Sequence, residues 1–159
     1  MTDQSPAAEY QAACHTPIGW VAVAASQDAV VKVKILESQP RLQAGRHVLA
    51  DQACAVLDAW LGGGKWPRFA ALEPQGTDFQ RRVWKALLQI SPGQTRTYGE
   101  LARQLDSSPR AVGGACRSNP IPLFIPCHRV VAANGDGGFA GHTQGRWMDI
   151  KRWLIRHER

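Results

Sequence analysis

Three consecutive glycines, Gly62-Gly63-Gly64, separate two regimes of hydrophobic spacing in this chain. A helix does not continue through such a triplet, because each glycine costs it roughly 1 kcal/mol relative to alanine. Upstream, the run TPIGWVAVAASQDAVVKVKIL (16–36) alternates and is rich in Val, Ile and Ala, with turn residues at Ser26-Gln27-Asp28. It predicts two strands joined as a hairpin. From His47 to Leu61 the apolar residues Val48, Leu49, Ala53, Val56, Leu57, Trp60 and Leu61 recur at helical spacing, and the glycines end that helix. The segment KWPRFAALEPQG (65–76) has two prolines and little periodicity, and reads as a linker.

Downstream the pattern is helical. In TDFQRRVWKALLQI (77–90), Thr77 or Asp78 can cap a helix that shows Phe79, Val83, Trp84, Leu87 and Leu88 on one face, and Ser91-Pro92-Gly93 stops it. YGELARQLD (98–106) predicts a short helix with Leu101, Ala102 and Leu105 inward. A turn at Ser107-Ser108 follows, and Pro109 suits the first position of a second helix that ends at Asn119-Pro120. Short helix, tight turn and short helix make a helix-turn-helix pattern. RWMDIKRWLIRHER (146–159) then places Trp147, Ile150 and Leu154 on one face. The expected architecture is α+β in two domains. Residues 1–70 form a small α/β domain with a hairpin-containing sheet, and residues 71–159 a mainly helical domain with the character of a winged helix-turn-helix.

Charge separates the halves as well. Residues 1–75 hold six Lys/Arg against seven Asp/Glu, whereas residues 76–159 hold thirteen against six, and eleven of the thirteen are Arg. Arginine concentrated in a helix-turn-helix region points to nucleic acid, since its planar fork suits phosphates and base edges. There is no apolar run of membrane-spanning length, and MTDQSPAAEYQAACH lacks the basic-then-apolar pattern of a signal peptide, so an intracellular, cytoplasmic protein is expected. The four cysteines Cys14, Cys54, Cys116 and Cys127 include no CxxC pair. Cys14-His15, His47 and Cys54 match no standard zinc spacing, so no metal is expected.

The stretch IPCHRVV (125–131) sets a thiol, an imidazole and a guanidinium side by side in an apolar run. Histidine and arginine are costly to bury without partners, so chemistry at Cys127 is the sharper reading. A thiol attacks as its thiolate, and His128 would be its base, through a water, because neighbouring side chains seldom face each other in regular structure. Pro122 and Pro126 argue for a bent segment here. A second oddity is Gly113-Gly114 inside a helix. Close helix packing would explain it, and so would a face of Gly113, Gly114 and Ala115 that lets the helix approach a nucleic-acid backbone, with Arg110 and Arg117 on roughly the same side.

YGELA, RAVGGACRSNPIPLFIPCHRVV, GGFAG and KRWLIRHE together resemble the O6-alkylguanine-DNA alkyltransferases, in order from about Thr77 to Glu158. TPIGWVAVAA resembles that family's N-terminal domain more weakly. The resemblance implies direct, single-turnover repair: Cys127 takes the alkyl group from O6 of a flipped-out guanine in double-stranded DNA and keeps it as a thioether. No cofactor is needed. It further implies that Glu158 orients His128 and that Tyr98 hydrogen-bonds or protonates the purine. Asn119 is the hinge between the recognition helix and the cysteine segment. Backbone groups around Cys127, Val130 and Ala140 read the base, Phe139 forms an apolar wall, and Gly141 leaves room for the alkyl group. Arg110 fills the space the base vacates. Thr97, Tyr98, Ala111, Gly113, Gly114, Ala115 and Arg117 belong to the DNA-facing set, in the minor groove, and a monomer is expected.

Some positions depart from the family pattern. Only twelve positions separate Tyr98 from Arg110, Phe139 stands where tyrosine is common and Ala140 where serine is. Cys116 replaces a larger apolar residue, which enlarges the pocket or supplies a second acceptor, and GHTQGRWMD (141–149) differs from the commoner continuation. The main alternative is a non-catalytic binder that flags alkylated DNA, against which Cys127 itself argues. A helix-turn-helix regulator leaves PCHRV unexplained, and a cysteine hydrolase leaves the DNA-binding features unexplained.

Overall fold

Strand β1 (Ala12–Thr16), β2 (Gly19–Ala25) and β3 (Val30–Leu36) make an antiparallel sheet in that order, in a computed structural model that describes residues 8–159. The hairpin read from the sequence is β2–β3, with Val23 opposite Val33 and Val21 opposite Ile35. The sequence reading missed β1, whose residues pair with β2 from Ala12↔Val23 to Thr16↔Gly19. Polar Cys14, His15 and Thr16 hide its alternation, and it is recruited by the backbone groups β2 would otherwise leave open. Residues 1–7 of the stretch read for a signal peptide lie outside the described residues.

Helix α1 (Val48–Leu61) lies on the sheet through Ala50, Ala53, Leu57 and Leu61. His47 caps it: the Ala50 N–H donates to His47 Nδ1 at 3.2 Å. His15, also in the zinc set considered above, stacks on Trp20 with ring centroids 4.9 Å apart. Gly62 N–H closes the helix onto Asp58 O.

The stretch read as a linker is not free. Val30 N–H donates to Ala71 O at 2.7 Å, Glu73 N–H to Val30 O at 2.9 Å, and Trp66 Nε1–H to Leu123 O at 3.0 Å. Phe69 lies 5.2 Å from Phe124. With Val33 N–H on Pro120 O at 2.9 Å, the outer edge of β3 is covered by the second half of the chain, which removes an exposed template for strand pairing. Low periodicity misled here because the segment packs through separate aromatic anchors, and one hydrophobic core runs from the sheet through α1 into the helices that follow.

Those helices are α2 (Asp78–Leu87), α3 (Tyr98–Gln104) and α4 (Pro109–Arg117), with α5 (Arg146–His157) at the end. Thr77 and Gln80 form a reciprocal capping box on α2, worth about 1 kcal/mol per cap. Ser108 caps α4, with Pro109 in its first turn, and Asp106 takes a left-handed conformation (φ 52°) in the turn between α3 and α4. Trp84 Nε1–H of α2 donates to Ala115 O of α4 at 2.8 Å in the core, which fixes the rotation of α4. Two short strands, β4 (Arg96–Thr97) and β5 (Val130–Val131), pair in parallel and tie the start of α3 to the cysteine segment.

Candidate active site

Cys127 opens a single 3-10 turn, Cys127–Arg129, that the two prolines and a left-handed Leu123 (φ 77°) shape. A straight strand would put Cys127 and His128 on opposite faces, whereas the turn buries all three side chains of the CHR triplet. Cys127 is 8% exposed and lines a cleft of about 580 Å³ between α4, Tyr98 and the segment 138–143. Asn119 stands between α4 and this segment. Its Nδ2 donates to Ile125 O at 2.8 Å and its Oδ1 accepts from Ile121 N–H at 3.0 Å.

Behind the thiol lies a buried ionic cluster. His128 Nε2 sits 2.5 Å from Glu158 Oε1, with both side chains at most 2% exposed. Arg129 donates to both carboxylate oxygens, from Nε at 3.0 Å and from Nη2, and from Nη1 to Ile90 O at 2.6 Å. Its guanidinium lies 4.3 Å from the Trp66 ring centroid. A buried carboxylate survives only when paired and hydrogen-bonded, and this one has both. Burial raises its pKa, but the bonds from His128 and Arg129 outweigh that and hold it at about 2, below its ordinary 4.5. Burial pushes His128 down, toward the neutral form that can take a proton, while Glu158 opposes this by favouring the cation. His128 Nδ1 is buried and makes no hydrogen bond to the described residues. Burial also pushes the Cys127 thiol up, with Asn119 and Lys151 pulling it back, so the thiol needs a base to become a nucleophile.

Lys151 went unnoticed in the sequence, as did Arg129 as a structural partner. Lys151 is fully buried in α5, and its Nζ donates to Val130 O at 2.6 Å and Gly138 O at 2.8 Å. Burial lowers it to about 8. The available signal was its spacing: Trp147, Lys151 and Leu154 share the apolar face of α5, where a lysine needs buried acceptors. The Lys151 Nζ also lies 5.9 Å from the Tyr98 ring centroid. Burial raises the pKa of the Tyr98 hydroxyl, and the Gly138 backbone opposes this. A side chain on Gly137 would meet that hydroxyl at 2.8 Å, and Gly137 is left-handed (φ 75°), so glycine is required there.

The cleft gathers most residues singled out from the sequence: Tyr98, Arg110, Gly113, Gly114, Cys116, Arg117, Phe139, Ala140 and Gly141 all line it. Phe139 and His142 exchange two backbone hydrogen bonds, 2.8 and 2.9 Å, which close a tight turn with Ala140 left-handed (φ 51°). His142 and Thr143, not anticipated, complete that rim, and His142 stacks on Trp147. Burial lifts the Cys116 thiol to about 12, which makes it a poor second acceptor.

Several residues singled out from the sequence lie elsewhere than expected, and one of the two explanations offered for Gly113-Gly114 drops out. Ala115 is 3% exposed and faces the core under Trp84, because one residue further along the helix turns about 100° away from Gly114. Val130 does not line the cleft: its side chain is buried, its N–H is bonded to Cys127 O and its carbonyl takes Lys151. Close packing is not the reason for Gly113-Gly114, since a Cβ at Gly113 would make only ordinary contact with Tyr98 (3.9 Å) and one at Gly114 would meet nothing within 4 Å. Thr97 is the N-cap of α3 and Ala111 is half-buried in the first turn of α4; neither lines the cleft.

Residues 78–159 match the family model of the 6-O-methylguanine DNA methyltransferase DNA-binding domain. A methylated-DNA–protein-cysteine methyltransferase of Methanosarcina acetivorans is 34% identical over 156 residues, 94% of this chain and 97% of that one. A protein of the same name from Mycobacterium tuberculosis is 39% identical over 151 residues, 91% and 88% of the two chains. The crystal structure of the M. tuberculosis O6-methylguanine methyltransferase is similar with a TM-score of 0.79, at 34% identity, over 94% of this chain and 92% of that one. That of M. tuberculosis OGT in complex with DNA gives 0.77, at 36% identity, over 92% and 90%.

Proposed function

The chain belongs to the methylated-DNA–protein-cysteine methyltransferases, and from that premise we propose that it repairs DNA by moving the alkyl group of O6-alkylguanine onto its own Cys127. The observation that carries the choice of residue is the Cys127 thiol lining the cleft, with the His128–Glu158–Arg129 cluster buried behind it. His128 Nδ1 takes the thiol proton through a water, and Glu158 stabilises the imidazolium that forms. The thiolate attacks the alkyl carbon, the C–S bond forms as the C–O6 bond breaks, and the electron pair leaves on guanine. Tyr98 supplies a proton or hydrogen bond to the departing purine. A thioether has no easy leaving group, so each molecule acts once.

An O6-alkyl group inside the duplex stack is out of reach, so the nucleotide is flipped into the cleft. Arg110, exposed in the first turn of α4, enters the vacated stack. The exposed face of Gly114 and Arg117, with Gly113 beside it, approaches the minor groove, and phosphate contacts make binding salt-sensitive. In this reading α3 and α4 form the helix-turn-helix of a DNA-binding and catalytic unit, residues 71–159, and residues 1–70 form an α/β unit beside it. The protein acts as a cytoplasmic monomer.

The test is peptide mass after incubation with duplex DNA that carries O6-methylguanine. One methyl on the Cys127 peptide, absent in Cys127→Ala, is the expected result. A methyl on Cys116 instead would move the nucleophile, and bound but unmodified damaged DNA would make the protein a lesion binder.

A further inference from the structure

Among the described residues, the His128 ring makes one hydrogen bond. Nε2 holds Glu158, and Nδ1 makes none to the described residues. One bond leaves a ring free to swing about the donor–acceptor axis, so packing must set its plane. The surface that does so comes from the other half of the chain. The Trp60 ring lies 6.2 Å from the imidazole centroid at 34°, and Trp60 is 2% exposed.

Trp60 also holds the other member of the pair. His157 donates from Nε2 to Trp60 O at 2.6 Å, and its ring meets the Trp60 ring edge-on at 5.9 Å. On its other side His157 stacks on Trp153 at 4.5 Å and 14°. Glu158, the next residue, is the C-cap of α5, where a helix frays unless it is held. The carbonyl of Trp60 is available because the Gly62–Gly64 triplet ends α1 there: it accepts from Gly63 N–H at 3.0 Å and keeps a lone pair for His157.

We infer that Trp60 is a positioning residue for the transfer reaction, its ring setting the plane of His128 and its carbonyl anchoring the α5 terminus that carries Glu158. The inference rests on His128 acting as the base for Cys127. It gives the N-terminal half a part in the chemistry beyond adding stability. Around the imidazole, Glu158 favours the cation, while Arg129, Lys151 and burial disfavour it, and the Trp60 ring is part of that burial.

The experiment is single-turnover methyl transfer from an O6-methylguanine duplex as a function of pH. The proteins are wild type, Trp60→Leu, Trp60→Phe, His157→Leu and His157→Gln, each shown to be folded by its melting transition. Trp60→Leu and His157→Leu should transfer on the order of 10²-fold slower, the scale of a misplaced catalytic group. In Trp60→Leu, water that reaches the imidazole raises its pKa, so the acidic limb of the rate profile moves to higher pH. Trp60→Phe and His157→Gln, which keep a ring and a donor, should restore most of the rate. Folded Leu variants at the wild-type rate would overturn the inference, as would uniform slowing with an unmoved limb in Trp60→Leu and no rescue. Should Trp60→Leu fail to fold, the His157 pair decides through rescue by glutamine. Absence of methyl on Cys127 in the wild type would sink the functional reading instead.

Discussion

Replacing Glu158 with Gln tests the buried cluster most directly. The substitution keeps shape but removes the charge that His128 and Arg129 share, and turns an acceptor oxygen into a donor facing Arg129. The fall of the Glu158 carboxyl from 4.5 to about 2 corresponds to about 3 kcal/mol, at about 1.4 kcal/mol per tenfold change in acidity. That agrees with the roughly 3–5 kcal/mol lost when one partner of a buried pair is removed. The side chain is 2% exposed, so solvent screening does not discount the figure. Because the folded pKa is depressed, the stabilisation is fully present above 4.5 and lost as pH falls through about 2. Urea unfolding of wild type and Glu158→Gln should therefore differ by about 3 kcal/mol at pH 7 and by roughly half that near pH 3. The variant should also lose on the order of 10²–10⁴ in transfer rate, the usual share of a base and its orienting partner. A difference below about 1 kcal/mol at pH 7, or one that does not shrink in acid, would refute the account of how the relay is held.

Two glycines separate structural demand from demand at the DNA face. Gly114→Ala has open space for its methyl, so the protein should be as stable or up to about 1 kcal/mol more stable, while affinity for duplex DNA falls in a titration. Unchanged affinity would remove the close-approach reading of α4. Gly137→Ala should do the reverse, losing on the order of 1–3 kcal/mol in thermal unfolding through its left-handed backbone, and slowing transfer by displacing Tyr98, with 2.7 Å to the ring. Wild-type stability and rate in Gly137→Ala would show that Tyr98 has room to move.

Much of the fold was legible because it is written in local periodicity. Strands β2 and β3, the helices, the Thr77 cap and the stops at glycine and proline all came from spacings within a few residues, whereas the caps at His47, Thr97 and Ser108 were not read. Strand β1 was not legible, since its polar residues are recruited by an edge that β2 leaves unpaired. Nor was the anchoring of residues 66–73, whose aromatic and backbone contacts lie far along the chain.

The site divides along the same line. By itself the sequence singled out the segment we propose carries the nucleophile and its base, and the helix pair we propose faces DNA, because PCHR, the turn at Ser107-Ser108 and the arginine excess are contiguous signals. Tertiary structure decided which groups meet. It turned Ala115 inward and Gly114 outward, because Trp84 fixes the rotation of α4. It sank Lys151 among carbonyls, joined Arg129 to Glu158 and set Trp60 behind His128. The physical reason is that a buried charge or imidazole is tolerable only with its partners in place, and those partners come from wherever packing brings the chain together.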